Sequence, residues 1–440
     1  MKTRLISFVS IITLAWGYDV FYLHPPVQGD LPWLIQRQGL YLSGLWAIAL
    51  MSLVMVLSIR PAWLEKPLGG MDKMYRLHKW AGILGISAAG LHWLLDMSSD
   101  LIKSWIGKTG RPPKGDLTEF AAMFRSFAKD SGELIVYALL IMLVLTLWKK
   151  FPYKFWRYIH KVMPVFYLLL VFHTIVLAPA NYWMQPLGIL LVILFIPACI
   201  ASVISLAGMV GKPRQSTGTI TSIQAHNTGI TEVTCKMDTS WKEHHAGQFA
   251  FLTFDHHEGA HPFTISSAPG SDKHISFQIK ALGDYTRQLS GKITVGQKIK
   301  AEGPYGCFDL SQLDTGSHQT MIAGGIGITP FLSWLEDCQK SPGNIPSTDL
   351  HYCVRNADND PFIKRILQLC ETLPSVRLHV HQSEKGERLS AQKLAQTLGK
   401  KSSTSIWYCG PTSLANSIKT KLKKWWHGKF TFHQEAFEMR

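Results

Sequence analysis

The sequence predicts an integral membrane all-α six-helix bundle, followed by an antiparallel β-barrel and then an α/β domain of Rossmann-like build. Three observations carry this. Six apolar runs, at about 5–23, 40–59, 74–95, 133–148, 162–178 and 186–208, crowd the first half of the 440 residues, and a crossing helix needs about 20 such residues. Beyond Gly211-Lys-Pro-Arg214 the runs shorten and alternate in polarity between Gly, Asp and Asn, as half-buried strands do. From about residue 317 strand-like and helix-like runs take turns, the pattern of an open parallel sheet. The expected domains are 1–210, 213–312 and 317–440.

The formal charge of +15 would suit nucleic acid, but no recognition motif accompanies it. The basic residues instead flank apolar runs. Arg60, Lys66, Lys73, Arg76 and Lys79 lie in one inter-helix segment, and Lys149, Lys150, Lys154, Arg157 and Lys161 in another. That is the positive-inside pattern of cytoplasmic loops. Of seven cysteines, Cys235, Cys307, Cys338, Cys353, Cys370 and Cys409 fall in the second half and Cys199 in an apolar run. None forms a CxxC pair, so neither a zinc site nor a disulfide framework is indicated. The soluble half belongs in a reducing cytoplasm.

Taken in order, the first run follows Met-Lys-Thr-Arg and has the basic start and apolar core of a signal peptide. No small-x-small cleavage site follows, so it is read as an uncut helix. With Lys2 and Arg4 inside, six crossings return the chain to the cytoplasm before Lys212, and 97–131 lies outside. The third run, within Met71–Asp96, carries His78 and His92. Ionisable side chains inside a membrane helix are expensive and mark function. Along a helix the two stand roughly 21 Å apart and face nearly the same way. The fifth run carries His160 and His173, roughly 20 Å apart. Both helices run outward, so His78 meets His160 near the cytoplasmic side and His92 meets His173 near the outer side. Two imidazoles from facing helices are the axial ligands of a six-coordinate haem iron. On one ideal helix His160 and His173 would differ by about 140° in azimuth, and Pro164 between them can kink or re-phase it.

The pattern His78-x13-His92 with His160-x12-His173 resembles the transmembrane domain of the ferric reductase and NADPH oxidase superfamily, of bacterial type. The resemblance implies two stacked b-type haems held by His78, His92, His160 and His173. Arg37, at the outer start of the second helix, matches an arginine that in the oxidases lies beside the outer haem where oxygen is reduced; an interfacial snorkelling arginine is the plainer reading. Asp96, one turn after His92, stands where the animal oxidases have a histidine, and this departure weakens the case for O2 as the dedicated acceptor. Trp46, Trp80, Trp93 and Trp183 read as core or interface aromatics.

In the soluble half, TGTITSI, GQFAFLTF, HISFQIKAL and QKIKAEG read as strands of a compact antiparallel barrel. Within it HPFTISSAP resembles the superfamily's flavin motif, which implies FAD held by His261, Pro262, Phe263, Thr264 and Ser267. Lys280 and Gly283-Asp-Tyr-Thr286 resemble the K-x-x-G-x-x-T element that holds the flavin diphosphate. Gly303-Pro-Tyr-Gly306 closes the barrel, or is only a structural turn. QTMIAGGIGITPFLSWL reads as strand, glycine turn and helix, where helix-start N–H groups receive a pyrophosphate. Gly324, Gly325, Gly327, Thr329 and Pro330 match the nicotinamide-binding G-G-x-G-x-T-P of ferredoxin-reductase-like domains. Cys409-Gly410-Pro411 occupies the family's C-G-P position beside the nicotinamide, where a lowered thiol pKa or simple packing are both open. Arg355 resembles the arginine that holds the 2′-phosphate of NADPH, with NADH left open. Phe437 matches the C-terminal aromatic that covers the flavin.

The resemblance therefore implies an inner-membrane oxidoreductase with its soluble half in the cytoplasm. Electrons from NADPH (or NADH) would pass through FAD and two haems b to an acceptor outside. The first acceptor is O2, giving superoxide. A ferric or cupric chelate is the second, and a periplasmic protein partner the third.

Overall fold

The computed structural model describes residues 2–435, apart from 26–28, 113–118, 149, 256–257, 315, 341–344 and 400–402. The chain forms two compact units. Met1–Leu64 and Lys73–Val210 make the first; Glu65–Asp72 and Gly211–Arg440 make the second.

The first unit is helical: α1 (Lys2–Tyr18, continued by a π turn through Leu23), α2 (Leu31–Ser58), α3 (Ala62–Leu68, shared with the second unit), α4 (Met71–Ile106), α5 (Glu119–Leu147), α6 (Tyr153–His160), α7 (Met163–Leu177) and α8 (Pro186–Leu206). Its core joins Leu45, Ile48, Ala49 and Met51 of α2 to Leu139 of α5, Tyr167 of α7 and Leu191 and Phe195 of α8. A buried hydrogen bond of 2.8 Å between Ser52 and Tyr167 hydroxyls ties α2 to α7. Large apolar side chains such as Leu14, Leu134, Ile141 and Ile193 point outward and are exposed, which suits helices whose backbone is satisfied internally and whose solvent is lipid.

Among the described residues five helices, not six, are long and apolar enough to cross a membrane, by length and composition. The helix that falls short is α4. At 36 residues it has the length, but its histidines and flanking charges dilute its apolarity. The expected fifth run also differs: it breaks at Lys161–Val162, and α7 restarts with Pro164 in its first turn. Proline is suited to that place, where its missing N–H leaves no helical bond unmade.

The second unit begins with β1 (Gln215–His226), β2 (Ile230–Met237), β3 (Phe249–Thr253), β4 (His261–Thr264), β5 (His274–Lys280), α9 (Asp284–Lys292) and β6 (Lys298–Tyr305). The strands form an antiparallel sheet of order β4-β3-β6-β1-β2-β5 around Val233, Phe277, Ile279, Leu289 and Ile299. The sheet curls, yet β4 and β5 do not pair as a ladder. A single bridge between Ile265 and Phe277 joins the two sides, so the expected closed barrel is an open one. The four residues of β4 give too short an edge for a full seam.

The chain continues through β7 (Gln319–Gly324), α10 (Thr329–Lys340), β8 (Thr348–Val354), α11 (Ile363–Glu371), β9 (Val376–Gln382), α12 (Ala391–Leu398), β10 (Ser403–Cys409), α13 (Thr412–Trp425) and β11 (Lys429–Glu435). These strands are parallel, in the order β11-β10-β7-β8-β9. Succession runs outward from β7 to β9, then resumes on the other side with β10. The topological switch point therefore lies between β7 and β10, the position at which open α/β sheets bind ligands.

Candidate functional site

In the first unit the four histidines form two facing pairs. The ring centres of His78 and His160 lie 6.2 Å apart with planes at 83°, and those of His92 and His173 6.3 Å apart at 77°. An imidazole–metal bond of about 2 Å plus about 1.1 Å to the ring centre, on both sides of one ion, gives about 6.2 Å. Among the described residues no group of three or more His, Cys, Asp or Glu converges as a metal site. Two imidazoles suffice only if a macrocycle supplies the other four nitrogens, as porphyrin does. Three of the rings are also oriented for this. Nδ1–H of His78 donates to the Val54 carbonyl (3.1 Å), that of His92 to Leu40 (2.8 Å) and that of His173 to Ala128 (2.8 Å). A carbonyl only accepts, so in each ring Nε2 keeps its lone pair for a metal. His160 differs: its Nδ1 has no hydrogen-bond partner among the described residues, and its ring stacks on Trp156 at 4.6 Å. The residues present fit two haems.

The break between α6 and α7 removes the azimuthal conflict between His160 and His173. Each sits on its own helix, turned to face α4.

A cavity of about 970 Å³ in the same unit is lined by Arg37, Tyr41, Asp96, Arg111, Arg125 and Trp183. Leu40, whose carbonyl holds His92, is also in its wall. Arg37 Nε donates to the Tyr41 hydroxyl at 3.4 Å, and Arg111 stacks over Trp33 at 4.8 Å. Asp96 lies 3.9 Å from Lys129 in an exposed pair. The three arginines outweigh the one carboxylate, so the cavity is cationic. Arg111 and Arg125 lie in the segment read only as an outer loop, and nothing in their local sequence singles them out.

In the second unit Thr264 ends β4, buried, and Ser267 follows in a tight scaffold. Its hydroxyl accepts from Ser276 N–H (3.1 Å), and its carbonyl accepts from Ser333 of α10 (2.6 Å) and His244 (3.1 Å). His261 stacks on Tyr285 at 4.7 Å. Lys280 ends β5. Gly283 caps α9, and the Thr286 hydroxyl accepts from the N–H of Leu282 and Gly283, at 3.0 Å each. Thr286 is thus engaged in its own helix start, and a side chain at Gly283 would meet nothing within 4 Å. The open N-terminus of α9 is where the expected diphosphate contact falls.

At the switch point two glycine turns pack back to back. A Cβ on Gly327 would overlap the Cys409 carbonyl, and one on Gly324 would stand 2.7 Å from Pro411. Gly325 has φ +54°, a conformation side chains disfavour. Thr329 donates to the Ile326 carbonyl (3.1 Å) and Pro330 opens α10. Gly410 and Pro411 lead into α13 beside them. Arg355 is exposed just beyond β8, its carbonyl accepting from Glu384 N–H at 3.1 Å. Cys409 is buried, and burial, then the neighbouring Glu435, push its thiol pKa up; of the two readings left open for it, this favours simple packing over a lowered thiol pKa. Glu435, its register partner on β11, was not anticipated. It is fully buried, and burial first, then Asp72 and Glu65, hold its carboxyl well above the ordinary range. Phe437 lies outside the described residues.

Three family models match consecutive stretches: a ferric reductase like transmembrane component over residues 43–171, an FAD-binding domain over 216–311 and an oxidoreductase NAD-binding domain over 321–420. Together they give the chain a ferric reductase/NADPH oxidase-like architecture: a ferric-reductase-like transmembrane component, then an FAD-binding domain, then an NAD-binding oxidoreductase domain. Among curated relatives, it is 30% identical over 152 residues to the carnitine monooxygenase reductase subunit of Escherichia coli, covering 34% of this chain and 44% of that one. It is 26% identical over 184 residues to the anthranilate 1,2-dioxygenase electron transfer component of Acinetobacter baylyi, covering 40% and 53%. The chain thus spans about half the length of these relatives. A flavohemoglobin structure from Malassezia yamatoensis aligns with TM-score 0.47 at 16% identity, over 77% of this chain and 92% of that one.

Proposed function

We propose that the chain moves electrons from cytoplasmic NAD(P)H, through FAD and two b-type haems, to an acceptor outside the inner membrane. The division is a haem domain at 1–210, a flavin domain at 213–312 and a nucleotide domain at 317–440. The observation that carries the reading is the pair of bis-imidazole spacings, with three of the four rings oriented through Nδ1. FAD supplies the step from two-electron to one-electron chemistry.

The chain's own residues position these groups. His78 with His160 form the inner ligand pair, and His92 with His173 the outer one. The β4 segment His261–Thr264 and Ser267 line the flavin, and Lys280, Gly283 and Thr286 its diphosphate. Gly324, Gly325, Gly327, Thr329, Pro330, Gly410 and Pro411 would line the nicotinamide crevice, Arg355 would hold the 2′-phosphate where the donor is NADPH, and Phe437 would be the aromatic against the flavin. Cys409, neutral and buried, packs at the transfer point. Anaerobic addition of NADPH or NADH to purified protein should bleach the flavin and then develop reduced-haem absorbance. Protein without haem bands would sink the reading.

O2 as acceptor rests on the placement of Arg37. The cationic cavity favours the second reading, an anionic ferric chelate, since O2 needs neither that volume nor that charge. Arg125→Ala should raise KM for ferric citrate several-fold while superoxide formation, followed with superoxide dismutase, stays unchanged. Equal effects on both would remove the preference. A protein partner is the third reading, supported by the names of the relatives as reductase subunits of oxygenases.

A further inference from the structure

The two outer imidazoles are seated in the same way on two different helices. His92 Nδ1 lies 2.8 Å from the carbonyl oxygen of Leu40 on α2, and His173 Nδ1 2.8 Å from that of Ala128 on α5. A carbonyl inside a helix already accepts from the N–H four residues on. A ring reaching its second lone pair must pass the side chain at that same position, which leans back over the preceding turn; the Ser43 and Ser131 hydroxyls also donate to the Leu40 and Ala128 carbonyls, at 3.0 and 3.1 Å. Four residues after Leu40 stands Gly44, and four after Ala128 stands Gly132. A methyl group at 44 would come within 2.9 Å of His92 Nδ1 and 3.0 Å of its Cε1, and one at 132 would overlap the same two atoms of His173. Both rings therefore occupy the volume a side chain would fill.

The inner pair is built otherwise. His78 donates to Val54, and the residue four beyond is Ser58, whose hydroxyl bonds to Met55. His160 has no carbonyl partner and leans on Trp156, whose indole N–H donates to Thr146 at 2.9 Å.

We propose that Gly44 and Gly132 are positioning residues for the outer metal centre. Each is a notch that uncovers a helical carbonyl, lets an imidazole settle on it and so fixes which nitrogen carries the proton. With both Nδ1–H groups anchored, on α2 and on α5, each Nε2 is left free for a metal and the ring planes stand at 77°. The inner centre lacks the glycines: His78 reaches the Val54 carbonyl with Ser58 four residues on, and the His160 ring, whose Nδ1 has no hydrogen-bond partner among the described residues, stacks on Trp156. The inference rests on the haem reading above.

The test uses Gly44→Ala and Gly132→Ala in the full chain, purified in detergent. Haem per flavin, the ferric low-spin EPR lines and the two midpoint potentials are measured, with His160→Ala to assign the inner signals. Gly132→Ala should lower haem per flavin from two towards one. Gly44→Ala, with the milder overlap, should keep the haem but shift its EPR line and potential. In both, the inner line and potential should match wild type. Wild-type outer signals in both variants would overturn the proposal. So would a change confined to the inner haem, or loss of both haems together, which would mean the glycines hold the bundle and not the rings. Wild-type protein purified without any haem would sink the haem reading itself, a separate result.

Discussion

Glu435 sits where a carboxylate is hardest to keep. Its Oε2 is buried with no hydrogen-bond partner among the described residues, and Asp72 and Glu65 add negative charge nearby. The folded protein therefore holds it protonated. Below the ordinary glutamate pKa of about 4.3 both folded and unfolded states keep the proton, and nothing is lost. Above it the unfolded chain ionises while the folded one does not, so stability falls as pH rises until the raised folded pKa is reached. Glu435→Gln should remove that slope: its melting temperature relative to wild type should climb as pH rises above about 4.3. A difference that stays constant as pH rises would contradict it. Cys409 shares the environment, and its raised pKa makes it a poor nucleophile. Iodoacetamide at neutral pH should leave Cys409 unmodified in the folded protein, read by peptide mass spectrometry, and label it after denaturation. Gly327 completes the set, since its missing Cβ is what lets the β7 and β10 turns touch. Gly327→Ala should cost about 1–3 kcal/mol by overpacking, measured as a fall in the denaturant midpoint of flavin fluorescence, with loss of nicotinamide binding.

At the scale of elements the decisive feature is the interruption between α6 and α7. Counting along one ideal helix turns His160 about 140° away from His173, yet both face α4. The turn at Lys161–Val162 absorbs the discrepancy, and Pro164 fixes where α7 restarts. An alanine inserted after Lys161 would rotate α6 by about 100° against α7. The inner haem should then be lost and the outer one kept, visible as a halved redox-difference absorbance; retention of both would show that the turn has slack. Proline between the two histidines made a re-phasing legible in the sequence. Whether it bends a helix or separates two depends on what packs around it, here Trp156 on Thr146 and Tyr167 on Ser52. The open barrel has a similar origin. Alternating runs declare strands, but closure depends on whether the edge strands are long enough to pair, and β4 is not.

For the whole molecule, the charge pattern predicts an orientation. The basic segments 60–79 and 149–161 should lie on the cytoplasmic side with the soluble half. Trypsin should remove that half from inverted membrane vesicles and spare it in intact spheroplasts, and NAD(P)H oxidation should follow the same sidedness. Protection in inverted vesicles would reverse the topology.

By itself the sequence determined the order of a helical, an antiparallel and a parallel region, the glycine turns at the switch point, and four histidines standing out against apolar runs. These are local signals: periodicity, turn chemistry and polar residues where polarity is costly can all be read over a few residues. Only the tertiary structure decided how the histidines are held. Gly44 lies far from His92 in sequence, and Gly132 far from His173, so no local pattern reveals that each glycine makes room for a ring from another helix. The same holds for Arg111 and Arg125 beside Arg37, and for Cys409 and Glu435, whose pKa values are raised by burial first and then by a neighbour distant in sequence: Glu435 for Cys409, Asp72 and Glu65 for Glu435. Burial and long-range proximity set protonation and orientation, and both are properties of packing.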